Sequence, residues 1–389
     1  MRVLHVISSL DPKLGGPAKV VSEVFDLLPK YGVDVTIASS CSTGVSIGSS
    51  SKYRKDIELF NTLKTGFSFG DRFALSFDYL RWLVKNVSEF DVIHFHGLFD
   101  SFAEFGMLIC RQRGVPYVSS PWGLLGTWAL QQSKWRKTIF RGVLTNQNLR
   151  DATLIQFSTE RELAEAGRER VPVQRSFVLP AGIHPDDFSG AVQDYFWQQI
   201  FGANRNRKRL LFLSRLHPKK NLLQFLRVLI LLKTELDFIV AGTGESQYES
   251  ECRQLVSASG YDHCVKFVGH VTGMDKKSLL KHADIFVLPS LSESQGIAVL
   301  EAVVSGCYPL VGKDVAMADV LSEHGYGRIH DYSDDSIATA LRGALSEAES
   351  LANREHFAGL FLRRYSWNVI LPKQVDYYRL ATSSRICSS

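Results

Sequence analysis

The sequence of 389 residues has no apolar run of the ~18–20 residues that a membrane-spanning helix needs. Its longest apolar stretches, such as 225–232, are short and carry a charge. None of the six cysteines forms a CxxC pair or a finger-like spacing, so reduced, mostly buried thiols and a cytoplasmic setting are expected. The apolar start is brief and broken by His5, with no small-residue cleavage site behind it. It reads as a buried first strand rather than a signal peptide. Apolar residues at 45% and charged residues at 22% exclude disorder, collagen and coiled coil as whole-chain descriptions. The length fits two domains, or three.

Acidic residues are missing from two stretches. Residues 105–150 contain none and carry seven cations; residues 195–234 contain none and carry nine. The remainder holds 29 cations against 40 acids. Two basic regions on an acidic body imply two anionic partners. Nucleic acid would be one, but no finger, helix-turn-helix or RNP pattern is present.

Short β-rich runs at 3–8, 33–38, 92–95, 115–119, 153–157 and 176–179 alternate with helical patterns. Residues 41–51 read as a loop. The rhythm breaks at 181–206, where a hinge is expected, and restarts at 210–213, 237–241, 265–269, 285–288 and 308–311. Such alternation means βαβ units and parallel sheets, so the fold class is α/β, with two Rossmann-like doubly wound domains in tandem. Residues 367–380 form an amphipathic helical pattern. Parallel sheets bind ligands at their carboxyl ends, and a cleft between the two domains is where the chemistry is expected.

Four motifs carry possible chemistry. Gly15-Gly16-Pro17 precedes a helix and fits either an anion at the helix N-terminus or a tight turn; it has neither the GxGxxG spacing nor a Walker lysine. His94 and His96 end a strand on one face. They could bind metal, orient a substrate hydroxyl or be structural, and no nearby carboxylate or cysteine completes a metal set. Arg215 and Lys220 precede a helix in acid-free surroundings and suit a diphosphate, the alternative being a solvated basic turn. Glu293 follows an apolar strand, Gly296 opens a helix, and Glu301 lies amid Ile, Val and Leu, where a carboxylate needs partners. A structural ion pair would serve Glu301 equally, and a surface loop would serve Glu293. Ala241-Gly242-Thr243-Gly244 reads as a turn.

The segment from Glu293 to Glu301 resembles the E-x7-E signature of retaining, GT-B-fold glycosyltransferases of family 4. The Gly-Gly loop, the His94-Phe-His96-Gly97 strand end, Arg215-Leu-x-x-x-Lys220-Asn221 and a C-terminal helix occur in the family's order across nearly the whole chain. The resemblance implies an acceptor-side domain at 1–186, a hinge at 187–206, a nucleotide-sugar domain at 207–366 and a helix at 367–389 packing back on the first domain. It implies that Gly16 approaches the donor diphosphate and that Arg215 and Lys220 neutralise it. Glu293, Ser294, Gln295, Gly296, Ile297 and Ala298 would hold sugar and phosphate, and Glu301 the ribose. His96 would lie near the reacting centre and Gly269 near the base. Departures are Gln295, where the family has an aromatic residue, and Ser214, where it often has Gly.

The stretch holding Trp122, Gly123, Trp128, Lys134, Arg136 and Lys137 is similar to bacterial polysaccharide-building members, which act on lipid-diphosphate-linked acceptors. It would touch such an acceptor or an anionic membrane surface, or simply pack as an acceptor pocket with a solvated helix face. The expected reaction is transfer of a hexose from a UDP sugar, glucose first, with retention, no metal and no other cofactor, to a saccharide or lipid-linked saccharide. The enzyme would be cytoplasmic or peripheral on the inner face of the plasma membrane. A nucleotide-sugar epimerase or hydrolase, and a non-catalytic nucleotide-sugar or nucleic-acid binder, are the alternatives.

Overall fold

Parallel strands buried on both faces are largely apolar, and the central runs of this chain are, with His5, His94 and His96 as buried exceptions. The computed structural model describes the chain except residues 12–15, 42–55, 64–73, 133–136, 139, 204–206, 349–350 and 387–389, and the side chains of 351–352 and 384–386. The chain divides into two units, Met1–Ala181 with Asn368–Ser389, and Gly182–Trp367.

The first unit holds β1 (Arg2–Ile7), β2 (Asp34–Ser40), β3 (Ile57–Phe60), β4 (Val92–His96), β5 (Tyr117–Ser120), β6 (Leu154–Phe157) and β7 (Ser176–Val178). They form one sheet in the order β3-β2-β1-β4-β5-β6-β7, with every pair parallel. The second unit holds β8 (Arg209–Leu213), β9 (Asp237–Ala241), β10 (Val265–Gly269), β11 (Ile285–Leu288), β12 (Tyr308–Gly312) and β13 (Arg328–His330), in the order β10-β9-β8-β11-β12-β13. This is the doubly wound α/β architecture read from the sequence. In each sheet the winding reverses beside the first strand, between β1 and β4 and between β8 and β11. That reversal opens a crevice at the carboxyl edge.

Strands β3 and β13 were not among the strands expected. They are short edge strands, half-exposed in part, so the apolar signal is weak. Residues 42–51 lie outside the described residues.

The stretch 187–206, expected as a hinge, lies in the second unit. Its described part is built into that unit. Trp197 is fully buried and donates to Leu279 O at 3.1 Å. Asp194 accepts from the buried Arg209 guanidinium at 2.6 Å. Trp197, with Phe196 and Phe201 packed against the same cluster, makes this stretch part of the core.

The last helix, Trp367–Ile386, belongs to the first unit from Asn368 onward. Tyr377 stacks on Phe177 with centroids 3.6 Å apart, and Tyr378 is completely buried. Among the described residues, no helix is long and apolar enough to cross a membrane. Cys110, Cys252, Cys264 and Cys307 are buried free thiols, and Cys41 is exposed.

Candidate active site

In the second unit, the loops after β8, β9, β11 and β12 meet at the carboxyl edge of the sheet. The loop after β8 carries Arg215, which is exposed, and a short 3-10 turn, Pro218–Lys220. Asn221 follows in the left-handed region at φ 56° and opens the helix Leu222–Leu231. Because β11 neighbours β8, the next loop runs alongside, and Leu291 N donates to Lys219 O at 2.9 Å. That contact brings Lys220 to Glu293, and the two side chains form a direct hydrogen-bonded ion pair.

Burial would raise the Glu293 carboxyl. The Lys220 and Lys219 charges and the Lys220 hydrogen bond outweigh it, and the group is held below its ordinary range, ionised. The Glu293 backbone is also fixed: its N donates to Asp314 O and its O accepts from Ala316 N, both at 3.1 Å. The acid-free run around Lys220 is therefore not free of acids in space.

Gly296 follows at φ 87° and caps the helix Ile297–Val304, whose first amides have no preceding turn to donate to. Ser294, Gln295, Gly296, Ile297 and Ala298 thus form the passage from Glu293 into that helix. Gln295 is buried, where an aromatic residue is usual in the resembled family. Glu301 is nearly inaccessible and pairs with Lys276 Nζ at 2.7 Å. A structural ion pair thus satisfies it, and the same carboxylate keeps further acceptor capacity.

The glycines of the turn after β9 have a clear steric reason. A Cβ on Gly242 would stand 1.9 Å from Ser214 O, and one on Gly244 would stand 1.8 Å from Leu216 O. Only glycine lets this turn bond Ser214 and Leu216 and so seat the backbone of Arg215. Gly269, at the end of β10, has φ 74° and accepts from Gly242 N at 2.6 Å.

In the first unit, Gly16 opens the helix Gly16–Leu27 that follows β1; Gly15 lies outside the described residues. Parallel register places His5 beside His94, and Ile7 beside His96. Alternation then puts His5, His94 and His96 on one face at the β1–β4 reversal. Their exposures are 1%, 2% and 5%. Sequence reasoning found His94 and His96 but missed His5, whose only signal was a histidine inside an apolar strand.

His5 Nδ1 and His96 Nε2 are 2.9 Å apart, and Trp122 Nε1 donates to His96 Nδ1 at 3.2 Å. His94 Nε2 meets Ser120 Oγ at 2.7 Å, and its Nδ1 meets Tyr378 OH at 2.8 Å. Tyr378 OH also lies 3.3 Å from His5 Nε2. One nitrogen from each of the three rings lies within 4.8 Å of the others, a spacing that would admit a metal ion, yet hydrogen bonds already engage the rings. Burial lowers His5 to about 3 and His94 and His96 well below the ordinary range, with repulsion from neighbouring rings adding for the latter two. All three are neutral near pH 7. The expectation that His96 contacts a sugar meets a ring whose two nitrogens are occupied.

The loop carrying Trp122 has a buried anchor that sequence reasoning also missed. Trp122 and Gly123 are both left-handed, at φ 52° and 77°. Glu162 accepts from Gly123 N at 2.5 Å and from Ser158 N at 2.8 Å. Thr159-x-x-Glu162 is a capping-box pattern, and that was the available signal. Trp128 is half-buried on the short helix Thr127–Gln131. Lys137 turns back to Ala129 O and the Phe99 ring, while Lys134 and Arg136 lie outside the described residues. Elsewhere in that acid-free stretch, Arg111 pairs with Asp151 at 2.7 Å and Arg141 with Glu169 at 3.1 Å.

Two family models cover most of the chain. The one described as Glycosyl transferase 4-like domain matches residues 15–182, and the one described as Glycosyl transferases group 1 matches residues 194–358. The phosphatidyl-myo-inositol mannosyltransferase of Mycobacterium leprae is 27% identical over 312 residues, covering 78% of this chain and 76% of the relative. The GDP-mannose:cellobiosyl-diphosphopolyprenol alpha-mannosyltransferase of Xanthomonas oryzae pv. oryzae is 23% identical, covering 97% of this chain and 96% of the relative. The crystal structure of Anabaena HepE in complex with UDP and glucose superposes with a TM-score of 0.77 at 17% identity, covering 97% and 99% of the two chains. The fold is thus that of the GT-B glycosyltransferases, and this chain belongs to the group 1 glycosyl transferases.

Proposed function

We propose that this glycosyltransferase moves a hexose from a nucleoside diphosphate sugar, with uridine as the base and glucose as the first candidate, to a saccharide or lipid-diphosphate-linked saccharide, with retention. The observation that carries the reading is the Lys220–Glu293 pair at the reversal of the second sheet, with Arg215 and the Gly296 helix amides beside it in the same unit. One loop system offers cations for a diphosphate and an ionised carboxylate for sugar hydroxyls. The relatives from Mycobacterium and Xanthomonas bear names of hexose transfer to lipid or lipid-diphosphate acceptors, and the Anabaena neighbour holds UDP and glucose.

In this reaction the bond between the anomeric carbon and the phosphate oxygen breaks, and its electron pair stays on the diphosphate. Lys220, Arg215 and the helix amides stabilise the charge that builds there. The acceptor oxygen bonds to the same face of the anomeric carbon, and its proton passes to the departing phosphate oxygen. Glu293 holds hydroxyls of the transferred sugar, and Glu301 those of the ribose. Gly16, Gly269 and the Trp122–Lys137 segment take the donor and acceptor roles that the resemblance implies. Metal independence is part of the reading, since cationic side chains supply the potential a metal would.

Melting-temperature shifts with UDP-glucose, UDP-galactose, GDP-mannose and ADP-glucose test the donor, because a ligand bound only to the folded state raises stability. NMR of the anomeric configuration tests retention, and turnover after EDTA dialysis tests metal independence. A shift with GDP-mannose alone would replace the base, and an inverted product would reject retention. The names of the Xanthomonas relatives are the observation that favours guanosine as the second reading.

A further inference from the structure

The hydrogen bonds around His96 have a direction, and the direction starts at Trp122. An indole nitrogen can only donate. His96 Nδ1 therefore accepts from Trp122. In a neutral ring the proton then sits on Nε2, which donates to His5 Nδ1. His5 in turn carries its proton on Nε2 and donates to Tyr378 OH. The tyrosine proton is left to go to His94 Nδ1, and His94 Nε2–H donates to Ser120 Oγ. Each nitrogen of the three rings is used once, with one donor facing one acceptor throughout. The opposite polarity would serve every link except the first, so Trp122 alone selects between them. The rings are neutral because burial removes the charged form.

Trp122 stands on a left-handed pair with Gly123, a conformation that costs a non-glycine residue energy, and it is only half-buried. His96, behind it, is almost fully buried. The link between His5 and His94, Tyr378, comes from the C-terminal helix, far away in sequence and completely buried.

We propose that Trp122 and Tyr378 are positioning residues for His96. Trp122 fixes the ring as the Nε2–H tautomer and holds, at Nδ1, the place that a hydroxyl of the bound sugar takes; Tyr378 carries the same polarity through the C-terminal helix to His94. The proposal rests on the reading that the protein binds a sugar donor. It adds that the ring meets its ligand as an acceptor, by exchange with an indole N–H, and that no proton is gained or lost.

The first test needs no variant and no substrate. Long-range nitrogen–proton NMR of the full chain with 15N-labelled histidine should show three rings with the proton on Nε2 and none becoming imidazolium between pH 6 and 8. Rings protonated on Nδ1, or a titrating ring among the three, would overturn the proposal. So would Zn2+ that binds and removes these N–H signals, since the imidazoles would then be ligands.

The second test is kinetic. Trp122→Phe keeps an aromatic ring, though a smaller one, and removes the donor. It should lower KM for the donor sugar about threefold and give mixed tautomers. Tyr378→Phe should lower kcat about tenfold with KM within twofold, at a melting temperature that leaves the protein folded. Unchanged tautomers and kinetics in both variants would overturn the proposal while leaving the donor reading intact. Wild-type protein that neither binds nor turns over any nucleoside diphosphate sugar would sink the donor reading, and the proposal with it.

Discussion

The two sheets of this protein reverse their winding in the same way, yet what gathers at each reversal differs. The first collects neutral polarity: three buried imidazoles, a tyrosine and a serine, joined by hydrogen bonds. The second collects charge: Lys220 against Glu293 and Lys276 against Glu301, with Arg215 exposed nearby in sequence. Burial decides the difference. Desolvation pushes a histidine to its neutral form at no cost in hydrogen bonding, whereas a buried carboxylate stays ionised only with a cation or enough hydrogen-bond donors beside it. A neutral edge suits hydroxyls, and a charged edge suits a diphosphate.

The largest effect should come from breaking the charged edge. Lys220→Ala removes a cation from the leaving group and strands Glu293. Turnover should fall by roughly 10²–10³-fold, the size of losing one preorganised electrostatic contact. Stability should fall as well. Lys220→Met with Glu293→Gln sharpens the point: melting temperature should recover relative to Lys220→Ala because no buried charge is left unpaired, while turnover stays low. Recovery of turnover in the double variant would show that the pair is structural and that the comparison between the edges is false.

A somewhat smaller effect should come from the seat of that edge. Gly244→Ala places a Cβ against Leu216 O at 1.8 Å, so the turn after β9 must move. About 3 kcal/mol of stability should be lost in urea unfolding. Turnover should fall with it, because Arg215 rides on the bonded segment. Full stability in this variant would mean that the turn adapts freely and does not hold Arg215.

Much of this organisation was legible in the sequence. The βαβ rhythm, the glycine that opens a helix after Glu293 and the pair of histidines at a strand end are local patterns, and local patterns survive in one dimension. Spatial neutralisation does not. The acid-free runs looked like bare positive surface, but Arg111, Arg141 and Arg209 find acids outside their stretches, and Lys220 finds Glu293, 73 residues away. His5 could not be singled out because its role depends on β1 pairing with β4, and Tyr378 because its partner is 284 residues away. The roles assigned to Gly16, Gly269 and the tryptophan segment still rest on the resemblance rather than on contacts in the fold.

The smallest effect concerns Glu162, an acid near the neutral edge of the first sheet. Burial raises its carboxyl to about 7, against the hydrogen bonds from Ser158 N and Gly123 N that pull it down, with Glu165 adding to the rise. The folded pKa therefore lies above the ordinary carboxylate value. Such a group contributes stability that is complete below the unfolded pKa and is lost as pH rises through about 7. Glu162→Gln cannot titrate, so the cost of the substitution should depend on pH. At pH 5, only just above the ordinary carboxylate value, the folded protein keeps its proton and little of that stability is lost, so replacement should be close to its most costly. At pH 8 the wild type holds a buried charge, and the cost should be smaller by about 2 kcal/mol, since a tenfold change in proton affinity between the folded and unfolded states is worth about 1.36 kcal/mol. Urea unfolding of both proteins at the two pH values reads this difference. A cost equal at both, or larger at pH 8, would mean that the two backbone amides hold Glu162 ionised, and the first sheet's edge would then be anchored by charge as the second one is.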